Sequence, residues 1–480
     1  MGEASCFAKI GLPEDQEFQQ FNHDYQYSNF SNRNGIFARI MQKLIVKEFG
    51  PIVDVELKIN DFIIFIGPQA SGKSTISKLL YFFKALRAEY YSHIFKITLR
   101  GGLPISENID GIDINLFKEK INSLLLQMFP VAYFSSDFDL EFYYAEGIVL
   151  TIRKGESINR NDIIFSTGFV NRHDSLASEL TEIIREANTT TGDVKNPADR
   201  QFKNLQYRKA RDIITQRTNE LFHDIRYLTF IPAGRSLYSI IRNDSLISES
   251  ENVDMLIRRF TDELSELRTL FVDYTTKSFI EHIESQNLHL NLAEDLLHNV
   301  LNASYSARNG FDQIDLHNKT AIPIEFASSG QQEALWILLV LFERIYYSTE
   351  SLLFIEEPEA HLYPEAQKQI AELIALFINN ALLNPNGVVI TTHSPYFLSA
   401  VNNLLYAHNI GRENTDKVNA IVDSRLWIDY SRISAYFVQD GLIRNIMDDE
   451  LRQIKSEEID SASRIINNQY QLLSKIEFGT

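Results

Sequence analysis

Residues Gly67-Pro68-Gln69-Ala70-Ser71-Gly72-Lys73-Ser74 carry the spacing G-x-x-x-x-G-K-[ST], and Thr75 follows them. The residue types suit one task. Glycines let the backbone curl until several N–H groups point at one phosphate chain, and a helix starting at the lysine adds its positive dipole end. Lys73 can reach the β- and γ-phosphates of a nucleotide, and the Ser74 hydroxyl can ligate Mg²⁺. A chance glycine-rich turn is the competing explanation, and the flanking elements must decide between them.

A second group is acidic. Leu352-Leu353-Phe354-Ile355 leads into Glu356-Glu357-Pro358-Glu359. A strand that ends in carboxylates delivers them to the carboxyl edge of an open sheet, where such sheets bind ligands. Side chains alternate along a strand, so the two acids can divide the work. Glu356 would hold Mg²⁺, and Glu357 would orient or deprotonate an attacking water. Two smaller features complete the set. Ser328-Ser329-Gly330-Gln331 precedes an apolar helix and offers a second anion site, although a plain serine N-cap uses the same N–H groups. His393 follows the apolar run Val388–Thr391, where its ring N–H can sense a terminal phosphate.

The elements that must position these residues show in the hydrophobic pattern. Lys43–Glu48 and Val53–Ile59 alternate like half-buried strands around the turn at Gly50-Pro51. Phe62–Ile66 is an apolar run suited to a buried central strand, and Ser74–Ala85 has helical spacing. This strand–loop–helix order is the context the phosphate loop needs. Strand-like signals follow at Ile94–Leu99, Val131–Ser135, Glu141–Tyr144 and Ile148–Lys154, with a helical stretch at Asn115–Phe129. The chain is helical in character from about Asp174 to Asp224 and from Val253 to Asn302, with the strand-like island Tyr227–Pro232 between. Leu352–Ile355 and Val388–Thr391 flank the amphipathic helix Pro364–Asn380, and Ala435–Val438 and a helix around Ile459–Leu473 close the pattern. Alternating strands and helices at both ends imply an α/β fold with a mostly parallel sheet and a helical insertion.

Composition bounds the function. The 480 residues include 46 basic and 64 acidic side chains, a formal charge of −18 that opposes non-specific coating of nucleic acid. The single cysteine, Cys6, excludes an intramolecular disulfide and a cysteine zinc cage. No apolar run approaches the ~20 residues a membrane helix needs. The opening stretch lacks the basic-then-apolar pattern of a signal peptide, so a cytoplasmic location and no membrane contact are expected.

With these motifs in order, the chain resembles the ABC-class ATPases, and in motif detail their OLD-like branch. Glu356-Glu357-Pro358-Glu359-Ala360-His361-Leu362, Thr392-His393-Ser394-Pro395, Phe230-Ile231-Pro232-Ala233-Gly234-Arg235 and Glu48-Phe49-Gly50-Pro51-Ile52 carry the likeness. The resemblance implies an ABC/SMC-type ATPase head, α/β with mixed sheets and a helical insertion. It implies ATP and Mg²⁺ as ligands, with Gly67 through Thr75 binding ATP, Ser74 and Glu356 binding the metal, and Lys73, Glu357 and His393 acting catalytically. Two heads would pack head-to-tail, and Ser329, Gly330 and Gln331 would act in trans, with Glu359–His361 near the seam. The expected divisions are an extension at 1–35, an N-lobe at 36–175 and a mainly helical insertion at 176–320 with strand 227–232 returning to the head. A C-lobe at 321–445 and a C-terminal helical segment at 446–480 follow. The sequence departs from the pattern at Gln69-Ala70, where Asn-Gly is commoner, and its signature lacks a leading leucine. It shows no clear Q-loop, Gln127 being a poor candidate, and Arg235 is left as an unassigned residue at the site edge.

The resemblance extends to stand-alone ATPase subunits of phage-defence systems such as PARIS, Septu and Septu-like retrons. It implies a homodimer or larger homo-oligomer that holds or activates a separate effector, a TOPRIM or HNH nuclease. No nuclease site is expected in this chain, because Asp448-Asp449 does not match one. A DNA-repair or SMC-like head is the alternative, and a transporter subunit a weaker one. From Lys195 to Arg217 seven basic residues face two acidic ones. Arg208, Lys209 and Arg211 are therefore a candidate nucleic-acid or partner patch, or else a solvated helix face.

Overall fold

The computed structural model describes residues 41–98, 112–157, 160–189, 197–240, 253–272, 274–282, 288–308, 311–316, 320–380 and 385–455, with Gln469 and Gln471. The extension at 1–35 and, apart from those two glutamines, the helix expected at Ile459–Leu473 lie outside the described residues.

Strands β1 (Lys43–Phe49) and β2 (Ile52–Lys58) form an antiparallel hairpin whose alternate residues Leu44, Val46, Val55 and Leu57 are buried. β3 (Phe62–Ile66) runs straight into the phosphate loop, and α1 (Lys73–Thr98) follows. α1 is far longer than the pattern at Ser74–Ala85 suggests, and it absorbs most of the strand expected at Ile94–Leu99. Tyr90, Tyr91, Ile94 and Thr98 are buried at helical spacing, and the Thr98 hydroxyl donates to the Ile94 carbonyl at 2.7 Å. Tertiary packing thus overrides the strand propensity of these aromatic and β-branched residues.

After α2 (Ile114–Met128), Val131–Phe134 forms a 3₁₀ turn rather than a strand. β4 (Asp139–Ala145), β5 (Ile148–Ser157) and β6 (Arg160–Phe165) then extend the hairpin as an antiparallel meander. Helices α3 (Thr167–Thr189) and α4 (Pro197–Phe222) lead to β7 (Tyr227–Ile231). α5 (Ser236–Ile240), α6 (Met255–Arg268), α7 (Thr276–His282) and α8 (Leu288–Leu301) follow. The middle region is not purely helical. β8 (Ser304–Arg308), β9 (Phe311–Asp315) and β10 (Ala321–Pro323) make a separate antiparallel sheet, whose short polar strands gave no clean alternation.

α9 (Ser329–Tyr347), β11 (Ser351–Glu356), α10 (Pro364–Asn379), β12 (Gly387–Thr392) and α11 (Pro395–Gly411) complete the half that bears most of the candidate site. The short helix α12 (Thr415–Asn419) leads to β13 (Ile433–Gln439) and β14 (Leu442–Asn445). Eleven strands form one sheet in the order β6-β5-β4-β1-β2-β14-β13-β3-β12-β11-β7. From β13 to β7 every pair is parallel, whereas the β6-to-β2 half is antiparallel. The sheet is therefore mixed, not mostly parallel, because the early strands are joined by hairpins instead of crossover helices.

Both faces of the parallel half are covered, which explains its continuous apolar strands. Phe62, Ile64 and Ile66 of β3 join Leu353, Ile355, Val388 and Ile390 in a core with α9, α10 and α11. Ile63, Phe65, Leu352, Phe354 and Val389 point the other way, into a core with α1 and the hairpin. With helices on both sides the strand ends cannot slide, so residues just past Ile66, Glu356 and Thr392 are held in fixed relation. Among the described residues no helix is long and apolar enough to cross a membrane.

Candidate functional site

The phosphate loop is shaped by two tight approaches. Gly67 has φ +155°, and a Cβ there would lie 2.0 Å from the Val438 carbonyl oxygen. Gly72 has φ +102°, and a Cβ would meet Ile52 Cδ1 at 2.5 Å. Neither position accepts a side chain. Ala70, by contrast, sits in the left-handed region at φ +57°. The change from the commoner glycine therefore carries a backbone cost, because an L-residue there costs about 1–2 kcal/mol. Pro68, Gln69, Ala70 and Ser74 are exposed, while Ser71, Gly72, Lys73 and Thr75 are buried.

Lys73 opens α1 and folds its ammonium onto the loop, donating to the Gly67 carbonyl at 2.9 Å, the Pro68 carbonyl at 2.6 Å and Ser71 Oγ at 3.4 Å. Burial pushes its pKa down to about 8, against the opposing pull of the Glu357 and Glu359 carboxylates. The loop and the acidic turn therefore share one electrostatic neighbourhood, although β12 lies between β3 and β11 in the sheet.

β11 ends at Glu356, whose side chain is buried. Its Oε2 accepts from the Ala233 N–H at 3.3 Å, and its Oε1 has no hydrogen-bond partner among the described residues. Glu357 leaves the strand at φ +45°, and its N–H donates to the Thr391 carbonyl at 2.8 Å. This left-handed residue turns its half-exposed carboxylate toward His393, with Oε1 3.6 Å from Nε2. His393 is positioned from the same turn: Glu359 Oε1 accepts from the His393 N–H at 2.6 Å and from Thr392 Oγ1 at 2.7 Å. Ser394 caps α11 by accepting from the Tyr396 and Phe397 N–H groups, and it donates to Gln367. Glu359, implied near a seam between copies, thus also works within its own chain.

The signature turn is a capping box. Ser328 Oγ accepts from the Gln331 N–H at 3.3 Å, and Gln331 Oε1 accepts from the Ser328 N–H at 3.1 Å. Gln331 Nε2 also donates to the Leu301 carbonyl at 2.7 Å, so its side chain is committed. Ser329 is exposed. Gly330 is buried against the acidic turn, where a Cβ would meet the His361 carbonyl oxygen at 2.7 Å. The N-terminus of α9 therefore packs on residues just after Glu357 of the same chain.

Arg235 is the site residue that sequence reasoning left unassigned. It is 0% exposed, and its guanidinium sits among backbone carbonyls. Nε donates to the Glu333 carbonyl at 2.9 Å, Nη1 to the Pro232 and Glu356 carbonyls at 2.8 and 2.6 Å, and Nη2 to the Glu357 carbonyl at 2.8 Å. The Glu333 carboxylate accepts from the N–H groups of Arg235 and Ser236 at 2.9 and 3.0 Å. The sequence signal was an arginine directly after a strand and a Gly turn, but its partners are carbonyls, which no pattern displays.

The remaining expected residues lie apart from this cluster in their bonding. Gln127 donates to Ser123 of its own helix. On α4, Arg208 and Lys209 are exposed. Lys209 lies 3.9 Å from Glu186, Arg211 3.7 Å from Asp212, and Arg217 pairs with Glu179 and Glu220 at 2.7 and 2.9 Å. Part of the basic excess is thus neutralised in place. Lys195 and the Arg200 side chain lie outside the described residues.

Residues 170–398 match a family model described as AAA ATPase domain. The match begins after the phosphate loop and includes Arg235, the signature turn, Glu356, Glu357 and His393. No curated protein matches the chain. Among solved structures, an Smc head bound to the C-winged helix domain of ScpA is 12% identical, over 85% of this chain and 97% of that one, with a TM-score of 0.37. An Smc head with an extended coiled coil, bound to the C-terminal domain of ScpA and derived from Pyrococcus furiosus, is 10% identical, covering 90% and 99%, with a TM-score of 0.35. The SMC head domain from Thermotoga maritima is 10% identical, covering 85% and 98%, with a TM-score of 0.33.

Proposed function

We propose that this chain is an ABC-class ATPase head that hydrolyses ATP to ADP and phosphate. The observation that carries this reading is the burial of Lys73, just past β3, and of Glu356, at the end of β11 beyond the intervening β12, with Glu357 and Glu359 close enough to pull on the lysine's proton. The match to an ATPase-domain model over residues 170–398 supports it independently of the phosphate loop.

In this reading the N–H groups of Gly67 through Thr75 cradle the triphosphate, and Lys73 exchanges its loop carbonyls for phosphate oxygens. Glu357 holds and deprotonates the attacking water, and the His393 ring beside it contacts the terminal phosphate. The residues present suit Mg²⁺. Glu356 Oε1 is a buried carboxylate oxygen without a hydrogen-bond partner among the described residues, and Ser74 is exposed. Glu356 and Ser74 would hold the ion, which supplies charge neutralisation on the phosphates. In a head-to-tail homodimer or larger assembly, Ser329, Gly330 and Gln331 of one copy would face the nucleotide of the other. Ser328 would then release the Gln331 N–H that it caps.

On motif resemblance we extend the proposal to biology. The chain would be the cytoplasmic sensor or scaffold subunit of a bacterial anti-phage complex, holding or activating a separately encoded TOPRIM or HNH nuclease. The test is ATP binding, ATP turnover and mass in solution for the wild type, Lys73→Ala and Glu357→Gln. Lys73→Ala should weaken ATP binding about 30-fold, the loss of one charge-assisted phosphate contact. Glu357→Gln should bind ATP, lose turnover and double in mass. A wild type that neither binds nor consumes ATP, alone or with its companion, refutes the ATPase reading. Efficient DNA cleavage by the purified chain alone refutes the effector part.

A further inference from the structure

Three elements meet at the candidate site: β7, followed by Pro232; β11, ending at Glu356 and followed by Glu357; and α9, one turn in, at Glu333. Together they turn four carbonyl oxygens, those of Pro232, Glu333, Glu356 and Glu357, toward one side chain, and all four accept from Arg235. A buried carbonyl without a donor is costly, and few side chains could serve four at once. The planar guanidinium has five N–H donors in a fixed fork, whereas a lysine has three donors on a point charge. The burial of a full positive charge at 0% exposure also needs compensation. Glu333 provides the largest share, with Glu359, Glu356 and Glu357 adding to it: its Oε2 lies 3.5 Å from Arg235 Nε and accepts from the Arg235 N–H at 2.9 Å.

Glu333 is the pivot of this arrangement. It lies one turn inside α9, whose N-terminus carries Ser329 and Gly330. Its carboxylate clamps the start of α5 through the Arg235 and Ser236 N–H groups, and its carbonyl receives Arg235 Nε. The other end of the same guanidinium holds the carbonyl of Glu357, a non-glycine residue in the left-handed region at φ +45°. Such a conformation persists only where the surroundings over-determine it. On the opposite side of the turn, Gly330 packs against the His361 carbonyl. The first turn of α9 therefore grips the hydrolytic turn twice, through Arg235 at its start and through Gly330 at its end.

We infer that Arg235 and Glu333 are positioning residues that couple the N-terminus of α9 to Glu357. They set the Glu357 carboxylate according to where the first turn of α9 sits. This deepens the ATPase reading and rests on it for its consequence. If the signature turn engages a second copy's nucleotide, any shift of α9 passes through one rigid side chain to the residue that handles water. Turnover then depends on engagement of both ends, and binding at the phosphate loop does not. Both residues are buried, Arg235 at 0% and Glu333 at 3% exposure, and so closed to a nucleotide, which assigns their effect to kcat and not to affinity.

The experiment has two arms on the full chain, with Arg235→Lys and the milder Glu333→Gln. In the first, amide hydrogen exchange is followed without nucleotide. The amides of residues 357–362 should exchange about tenfold faster in Glu333→Gln than in the wild type, while α1 and α11 keep their protection. Unchanged exchange at 357–362 overturns the inference, and so does a uniform rise across the fold. In the second arm, kcat for ATP should fall about 30-fold or more with the ATP Kd within about threefold of wild type. Equal losses in kcat and affinity, or no loss, overturn it. A wild type inert toward ATP sinks the ATPase reading, while the exchange arm still decides the coupling. Arg235→Lys should reproduce both effects, because the charge alone cannot satisfy four carbonyls.

Discussion

Lys73 offers a prediction that can be worked through in numbers. Its pKa is lowered from 10.5 to about 8, chiefly by burial, with Glu357 and Glu359 partly offsetting the shift. A triphosphate anion against the ammonium favours the charged form and should return the pKa to at least about 10.5. At about pH 9 the free site is then only ~10% protonated and the bound site nearly fully so, which means uptake of ~0.9 proton on binding. Uptake falls to ~0.5 proton at about pH 8 and ~0.1 at about pH 7. The sign follows from the depressed lysine: ATP affinity should weaken about tenfold from pH 7 to pH 9, since a proton must be bound with the ligand. The same depression makes fold stability rise with pH between about 8 and 10.5, where the unfolded chain holds the extra proton. Calorimetric titration of ATP at about pH 9, in two buffers of different ionisation enthalpy, counts the protons directly. Lys73→Arg is the control, because a guanidinium stays charged and should abolish the uptake. No proton uptake at pH 9, with an ATP Kd unchanged from pH 7, would refute the reasoning.

Two further outcomes follow from close contacts. Gly330→Ala must push α9 off the acidic turn, because its Cβ would lie 2.7 Å from the His361 carbonyl oxygen. It should destabilise the fold by about 1–3 kcal/mol and lower ATP turnover, measured by urea unfolding and steady-state kinetics. Ala70→Gly should stabilise by about 0.5–1 kcal/mol, because relief at φ +57° exceeds the added chain entropy; an unchanged or lower unfolding midpoint would contradict this.

The candidate site is partly legible in the sequence. Gly67, Gly72, Lys73 and Ser74 stand out there because the phosphate binding proposed for them is local chemistry, done by consecutive residues of one loop. Glu356 and Glu357 were legible as the end of an apolar strand, and their different settings follow from strand alternation plus one left-handed residue. The capping box at Ser328 was also visible as a serine before an apolar helix. Less was legible where the answer depended on distant neighbours. The strand expected at Ile94–Leu99 is helix as far as Thr98, the last described residue there, because Tyr90, Tyr91 and Ile94 bury on one face of α1. The meander β4–β6 makes half the sheet antiparallel, since strand direction is set by the connections and not by strand composition.

Local order, then, was written in the chain: which segments are apolar on both sides, where a helix can start, and which side chains can meet a phosphate or a metal ion. These depend on neighbours within a few residues, so spacing alone reveals them. Only the tertiary structure decided that an arginine between β7 and α5 joins the ends of three elements, and that Glu359 holds the backbone of His393. Those bonds run to backbone carbonyls and amides far away in sequence. Every residue carries such groups, and only folding selects which of them meet.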